Sequence, residues 1–153
     1  MNFEFSEEQQ MLREQARGFL TEHCSTSVVR AVLDSNEDWD AGLWKKVADM
    51  GWTATVIPEA YGGLGLSYYE LAILAEEMGR SAAPLPFSSS LYLASEAIRH
   101  FGNESQKSEW LPKLASGECV ATVAMAERAG RLVLDQLQTR RTDSQITGHK
   151  VPV

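Results

Sequence analysis

Apolar residues recur three and four positions apart through the first 117 residues, in short stretches closed by glycine, proline or a polar cluster. That spacing predicts amphipathic helices rather than strands. Ser6 opens the first, with Gln9 completing a capping box and Glu7 and Glu8 suited to the positive end of the helix dipole. Leu12, Ala16, Phe19 and Leu20 form its apolar stripe. Ser25-Thr26-Ser27 interrupts the pattern, and Val28, Val29, Val32 and Leu33 predict a short helical turn before the polar loop from Asp34 to Asp38. Asp40 reads as the N-cap of a helix carrying Leu43, Trp44, Val47, Ala48 and Met50, with Gly51 placed to end it. Trp52 to Ile57 is β-prone and fits either a strand or an extended loop.

The next stretch, Ile57-Pro58-Glu59-Ala60-Tyr61-Gly62-Gly63-Leu64-Gly65-Leu66-Ser67, holds the densest run of glycine. Pro58 fixes its entry, and Ser67 with Glu70 forms a second capping box at its exit. The helix that follows carries Leu71, Leu74, Ala75 and Met78 on one face and Glu70, Glu76 and Glu77 on a solvated one, with Gly79 as its expected end. Pro84 and Pro86 bar a helix across residues 83–86. A further helix begins among Ser88-Ser89-Ser90 and is predicted to bury Leu91, Ala94, Ile98 and Phe101, with Leu93 and Ala97 widening the stripe and Gly102 ending it. Asn103 with Gln106 starts another, carrying Trp110, Leu111 and Leu114; Pro112 is expected to kink or divide it, and Ser116-Gly117 to close it. Residues 1–117 therefore predict an all-α bundle domain.

At Glu118 the texture changes. Cys119-Val120-Ala121-Thr122-Val123-Ala124-Met125-Ala126 is a continuous apolar run of the kind expected of a buried strand. Leu132 to Gln138 fits strand or loop, Thr139 to Ser144 is polar, and Gln145 to Val153 reads as a strand broken by a glycine. Residues 118–153 thus predict the beginning of a second, β-rich domain. Two or three strands without a sheet to join cannot bury their faces, so the chain is expected to be part of a longer polypeptide or a truncated product.

Composition narrows the function classes. The chain of 153 residues is 44% hydrophobic and 23% charged, ordinary for a globular protein, and its formal net charge of −7 argues against a nucleic-acid-binding surface. Cys24 and Cys119 are too few for a disulfide framework, and His23, His100 and His149 stand apart from any metal-ligand spacing. No apolar run reaches the length of about 20 residues that a membrane span requires. The acidic N-terminus lacks a signal-peptide layout, and a cytoplasmic protein is the simplest expectation. The glycine loop precedes a capped helix, as phosphate-binding loops do. However, Gly63-Leu64-Gly65-Leu66-Ser67-Tyr68 lacks the third glycine of a dinucleotide fingerprint, and no Gly-Lys-Ser/Thr follows. The carboxylates Glu59, Glu70, Glu76 and Glu77 read as solvated surface, and the four tryptophans as core or core edge. Composition and spacing by themselves reveal no chemistry.

Three landmarks together carry a resemblance. They are Phe5-Ser6-Glu7-Glu8-Gln9-Gln10 with its helix, Gly51-Trp52 leading to Ile57 through Leu66, and Leu111-Pro112-Lys113-Leu114-Ala115-Ser116-Gly117-Glu118. Their order and spacing resemble the N-terminal part of the acyl-CoA dehydrogenases. The resemblance implies a helical N-terminal domain, a middle β-barrel domain and a C-terminal helical bundle, with FAD between them and across a subunit interface. It implies α,β-dehydrogenation of an acyl-CoA thioester: a carboxylate takes the α-proton while the β-hydrogen leaves as hydride to flavin N5. Acyl-CoA as substrate, electron-transfer flavoprotein as electron acceptor, and a homo- or hetero-oligomer are implied with it. The family's base lies in the C-terminal bundle, beyond Val153, so no catalytic residue and no metal ligand is assigned here.

The resemblance places the flavin-lining strand at Val120 to Glu127, where the family pattern is Thr-Glu-Pro followed by Gly-Ser-Asp. This chain has Ala126-Glu127-Arg128-Ala129-Gly130-Arg131, so only Glu127 is retained. Met125, Ala126 and Glu127 are the implied cofactor-binding residues, the first two through main-chain groups because Ala126 lacks the hydroxyl. Ile146-Thr147-Gly148-His149-Lys150 resembles the family's later Gly-x-Lys turn. Divergent members with a similar Glu-x-x-Gly-Arg stretch include partner subunits of heteromeric dehydrogenases. Two alternatives therefore stand beside the enzyme: a non-catalytic subunit completing a partner's site, and a helical interaction module.

Overall fold

The computed structural model describes residues 5–128 and 134–151. The chain divides into two compact units, Met1–Ala121 and Thr122–Val153. The first contains six α-helices among the described residues: α1 (Glu7–His23), α2 (Thr26–Leu33), α3 (Ala41–Asp49), α4 (Tyr68–Arg80), α5 (Glu96–Phe101) and α6 (Glu104–Ala115). The mainly helical architecture is the one expected. Its caps are local and follow the sequence: Ser6 with Gln9, Ser67 with Glu70, and Asn103 with Gln106 all close capping boxes. Asp40 accepts from Leu43 N at 2.8 Å. These side chains occupy the N–H groups that a helix start leaves unpaired.

α1 and α4 lie side by side and run in the same direction, as successive cross-links show. Gln9 Nε2 donates to Glu70 Oε1 at 2.8 Å, Arg13 pairs with Glu76 at 2.7 Å, and Arg17 Nη2 donates to Glu77 Oε1 at 2.6 Å. Beneath them Ala16, Leu20, Leu71, Leu74 and Met78 join Trp44, Val47, Trp52 and Leu91 in the main core. A second cluster packs Leu111, Leu114 and Ala115 of α6 on Ala54 and Ile57. Trp44 Nε1 donates to Gly117 O at 2.8 Å and Thr53 Oγ1 to Ala115 O at 2.6 Å, fastening the end of α6 to α3 and the turn after it.

Several expectations are corrected. Trp52 to Ile57 is neither strand nor extended loop: it is a buried segment opening with a 3-10 turn at Trp52–Ala54, entered from Gly51 at φ 76°. Gly79 does not end α4. The helix runs to Arg80 and stops in a Schellman turn, with Ala83 N donating to Met78 O and Ala82 taking φ 48°. Pro112 does not divide α6, which is a continuous helix from Glu104 to Ala115 with the proline inside it. Pro112 and Ser108, whose carbonyl loses its partner to the proline, both face solvent, where water replaces the missing bond. Ser88–Ser95 is a π-helix leading directly into α5, and Phe101, expected in the core, is 89% exposed.

Glu77 is corrected as well, being only 1% exposed rather than on a solvated face. Both oxygens accept from Arg17, at 2.6 and 3.0 Å, and Arg80 Nε lies 3.6 Å away. The Arg17 hydrogen bonds hold the Glu77 carboxyl below the ordinary carboxylate range against the opposing effect of burial. A depressed folded-state value contributes stability above the unfolded-state pKa, and that contribution is lost as pH falls through the folded value. Arg17→Met removes the main depressing cause and leaves burial opposed only by the charges of Arg80 and Arg13, so its acid-unfolding midpoint is expected to rise. Far-UV circular dichroism against pH reads this; a midpoint equal to that of the parent chain would refute it.

The expected buried strand from Cys119 to Ala126, which crosses from the first unit into the second, does not form a ladder among the described residues. Thr122, Ala124 and Met125 are exposed. The physical reason is the lack of a partner: the strands described, β1 (Arg140–Thr142) and β2 (Gln145–Thr147), pair antiparallel with each other, with Arg141 opposite Ile146. The polar stretch Thr139 to Ser144 thus supplies a strand and a tight turn, with Asp143 at φ 52°. A 3-10 turn occupies Leu134–Gln136; Leu132, Val133, Pro152 and Val153 lie outside the described residues. Among the described residues no helix is long and apolar enough to cross a membrane.

Candidate functional site

The glycine loop is closed upon itself. Gly63 N donates to Pro58 O, Leu64 N to Ala54 O, Gly65 N to Ile57 O and Leu66 N to Thr55 O, at 2.8–3.2 Å. An anion cradle needs main-chain N–H groups turned outward and unpaired, and these are consumed internally. The loop is a clamp that fixes the buried segment 52–57 and delivers the chain to Ser67.

The three residues implied for cofactor binding lie together in the second unit, in an irregular segment. Glu127 is the most constrained of them. Its Oε2 accepts from Gln138 N at 2.5 Å; its Oε1 accepts from Thr139 N at 2.7 Å, from the Thr139 hydroxyl, and from Lys150 Nζ at 3.0 Å. These bonds, led by the Thr139 hydroxyl, hold its pKa down at about 2. Lys150 Nζ also donates to Met125 O at 3.1 Å, and Val151 N to Ala126 O at 2.8 Å. The N–H groups of Met125 and Ala126 make no hydrogen bond within the described residues, and the Met125 side chain is exposed.

Sequence reasoning missed Gln138, Thr139 and Lys150 as partners of Glu127. The only signal was the Gly-x-Lys turn. Gly148 matters because a Cβ there would overlap Thr139, so its bareness lets Thr139 sit beside the hairpin. Among the described residues no group of three or more His, Cys, Asp or Glu is arranged to hold a metal ion.

Two apolar grooves open on the helical unit. One, of about 410 Å³, runs between α5 and α6 and is lined by Ile98, Phe101, Trp110, Leu114 and Cys119 among others. The other, of about 450 Å³, lies between α4 and the π-helix, against Leu71, Ala72, Ala75 and Tyr92. At its rim Tyr68 hydrogen-bonds Glu96, and Arg99 joins the Tyr68 hydroxyl at 2.6 Å to the Val56 carbonyl at 3.0 Å. Burial pushes the Tyr92 phenol up to about 12, so it is a neutral hydroxyl at physiological pH.

Comparison with known proteins gives this arrangement its context. Residues 6–118 match the family model for the acyl-CoA dehydrogenase N-terminal domain. Among curated proteins, the mitochondrial isovaleryl-CoA dehydrogenase of Pongo abelii is 36% identical over 125 residues, which cover 80% of this chain and 29% of that protein. The chain spans only about a third of the length of the curated relatives it matches. Among solved structures, the ChsE4-ChsE5 complex from Mycobacterium tuberculosis superposes with a TM-score of 0.82 at 25% identity, covering 95% of this chain and 39% of that one. An acyl-CoA dehydrogenase complexed with FAD from Bacillus anthracis gives a TM-score of 0.75 at 29% identity, over 84% of this chain and 22% of that one. The family match takes in well over half of the sequence and nearly all of the helical unit, and the chain therefore belongs to the acyl-CoA dehydrogenase family.

Proposed function

We propose that this chain supplies the N-terminal helical domain, and the first residues of the middle β domain, of a flavin-dependent acyl-CoA dehydrogenase. The reaction proposed is α,β-dehydrogenation of an acyl-CoA thioester, with electron-transfer flavoprotein as the electron acceptor. The observation that carries this reading is the family match across residues 6–118.

The donor set at residues 125–126 is compatible with FAD. A flavin edge is rich in acceptor oxygens and nitrogens, and the Met125 and Ala126 N–H groups are donors with no partner among the described residues. The exposed Met125 thioether suits the face of an aromatic ring. When bound, FAD supplies the acceptor for the β-hydrogen and its electron pair. The Glu127 carboxylate is already committed to Gln138, Thr139 and Lys150. Held ionised by their partners, Glu77 and Glu127 are weak bases, and neither is proposed to take the α-proton.

A second reading, a subunit that completes a partner's site, is favoured by Ala126, which lacks a hydroxyl at the position implied to face the flavin. It is also favoured by the likeness to a two-component complex over 95% of the chain. One experiment addresses both. The protein is tagged at its own locus, purified from its own cells with whatever it binds, and its visible spectrum recorded. Flavin bands with this chain alone support a homomeric enzyme, and flavin bands with a second, homologous chain support the paired form. A colourless preparation that stays colourless when FAD is added overturns both. The chain of 153 residues by itself is expected to show no electron transfer from an acyl-CoA to an artificial dye.

A further inference from the structure

Residues distant in sequence converge on one carboxylate in the second unit. Glu127, its side chain 14% exposed, gathers Gln138, Thr139 and Lys150 around its two oxygens. Lys150 is shared: its ammonium also donates to the Met125 carbonyl at 3.1 Å, while the next residue, Val151, donates to the Ala126 carbonyl at 2.8 Å. Both carbonyls of the Met125–Ala126 pair are thus pinned to residues 150–151.

The peptide plane turns this pinning into direction. In a trans peptide the C=O of one residue and the N–H of the next lie in one plane and point opposite ways. Fixing the Met125 carbonyl on Lys150 therefore aims the Ala126 N–H away from Lys150, where it has no partner among the described residues. Glu127 in turn holds Lys150 in place, and an ammonium on a flexible stem needs such an anchor to stay in one position. A carboxylate so engaged has little left with which to touch a ligand.

Resting on the flavin reading above, we infer that Glu127 is a positioning residue rather than a cofactor contact: through Lys150 it sets the Met125–Ala126 peptide so that the Ala126 N–H is presented to the flavin.

The test has a flavin-free arm and a flavin arm, with Lys150→Met, Lys150→Arg and Glu127→Gln. In the first arm, amide signals of the 153-residue chain are followed by nitrogen-15 NMR and hydrogen exchange. Lys150→Met is expected to shift the Ala126 amide signal, Lys150→Arg to restore most of the parent signal, and Glu127→Gln to speed exchange of the Gln138 and Thr139 amides. In the second arm, the protein purified from its own cells, with any partner, is stripped and titrated with FAD. Lys150→Met is expected to weaken FAD binding at least tenfold and to alter the visible circular dichroism of the bound flavin, with Lys150→Arg largely restoring both. An Ala126 amide indifferent to Lys150→Met overturns the inference. So does an amide that moves while FAD affinity and the flavin spectrum do not. If the amide responds but the parent protein binds no FAD, the positioning role is supported and the flavin reading fails instead.

Discussion

A Gly63→Ala variant is expected to lose about 3 kcal/mol of stability or more, among the larger effects a single methyl can produce. A Cβ at this position would overlap the carbonyl oxygen and carbon of Ile57, which are backbone atoms and cannot swing aside. Ile57 is itself in the core, and its carbonyl accepts from Gly65 N, so relieving the overlap breaks the clamp over residues 52–57. Gly62→Ala is the natural control. Gly62 has φ 79° but open space around its Cβ position, so only the left-handed penalty of about 1–2 kcal/mol applies. For a chain of this size, at about 2–4 °C per kcal/mol, the Gly63 variant should melt about 6–12 °C below the parent. Equal losses in the two variants would refute close approach to Ile57 as the reason for glycine at Gly63.

Leu111→Ala is the second large effect, at about 3 kcal/mol. Leu111 is fully buried and, with Leu114 and Ala115, forms the face by which α6 packs on Ala54 and Ile57. The surrounding positions are held by hydrogen bonds, Thr53 to the Ala115 carbonyl and Trp44 to the Gly117 carbonyl, so the site has little freedom to collapse. A Cβ on Gly117 would lie 2.6 Å from that of Ala48, a further sign of how closely α6 and α3 meet at this end. Urea unfolding followed by tryptophan fluorescence measures the loss, and a loss under about 1 kcal/mol would mean that α6 contributes little to the core.

Features decided within a few residues were legible in the sequence. Ser6, Asp40, Ser67 and Asn103 cap their helices because a cap needs only a side-chain oxygen and an N–H two or three residues ahead. Features decided by tertiary contact were not. Trp52 to Ile57 is buried all along its length, which removes the one-sided periodicity that distinguishes helix from strand. Glu77 looked solvated because its partner Arg17 lies 60 residues earlier. The candidate site divides the same way. Met125 to Glu127 was located only through resemblance to a family, since its own texture pointed to a buried strand. The partners of Glu127 come from 11 to 23 residues downstream, where no local rule links them to it.

The π-helix from Ser88 to Ser95 has a bearing on how relatives are to be compared. A helix closed by i→i+5 bonds turns less per residue than one closed by i→i+4 bonds, and over eight residues the lag amounts to roughly one helical position. Downstream side chains therefore point as they would in an ordinary helix shortened by a single residue, and Phe101, placed in the apolar stripe by ordinary α spacing, is exposed. A one-residue gap falling here in an alignment would correspond to a change of winding and not to a loop. Residues paired without that gap would lie about 100° apart around the helix axis.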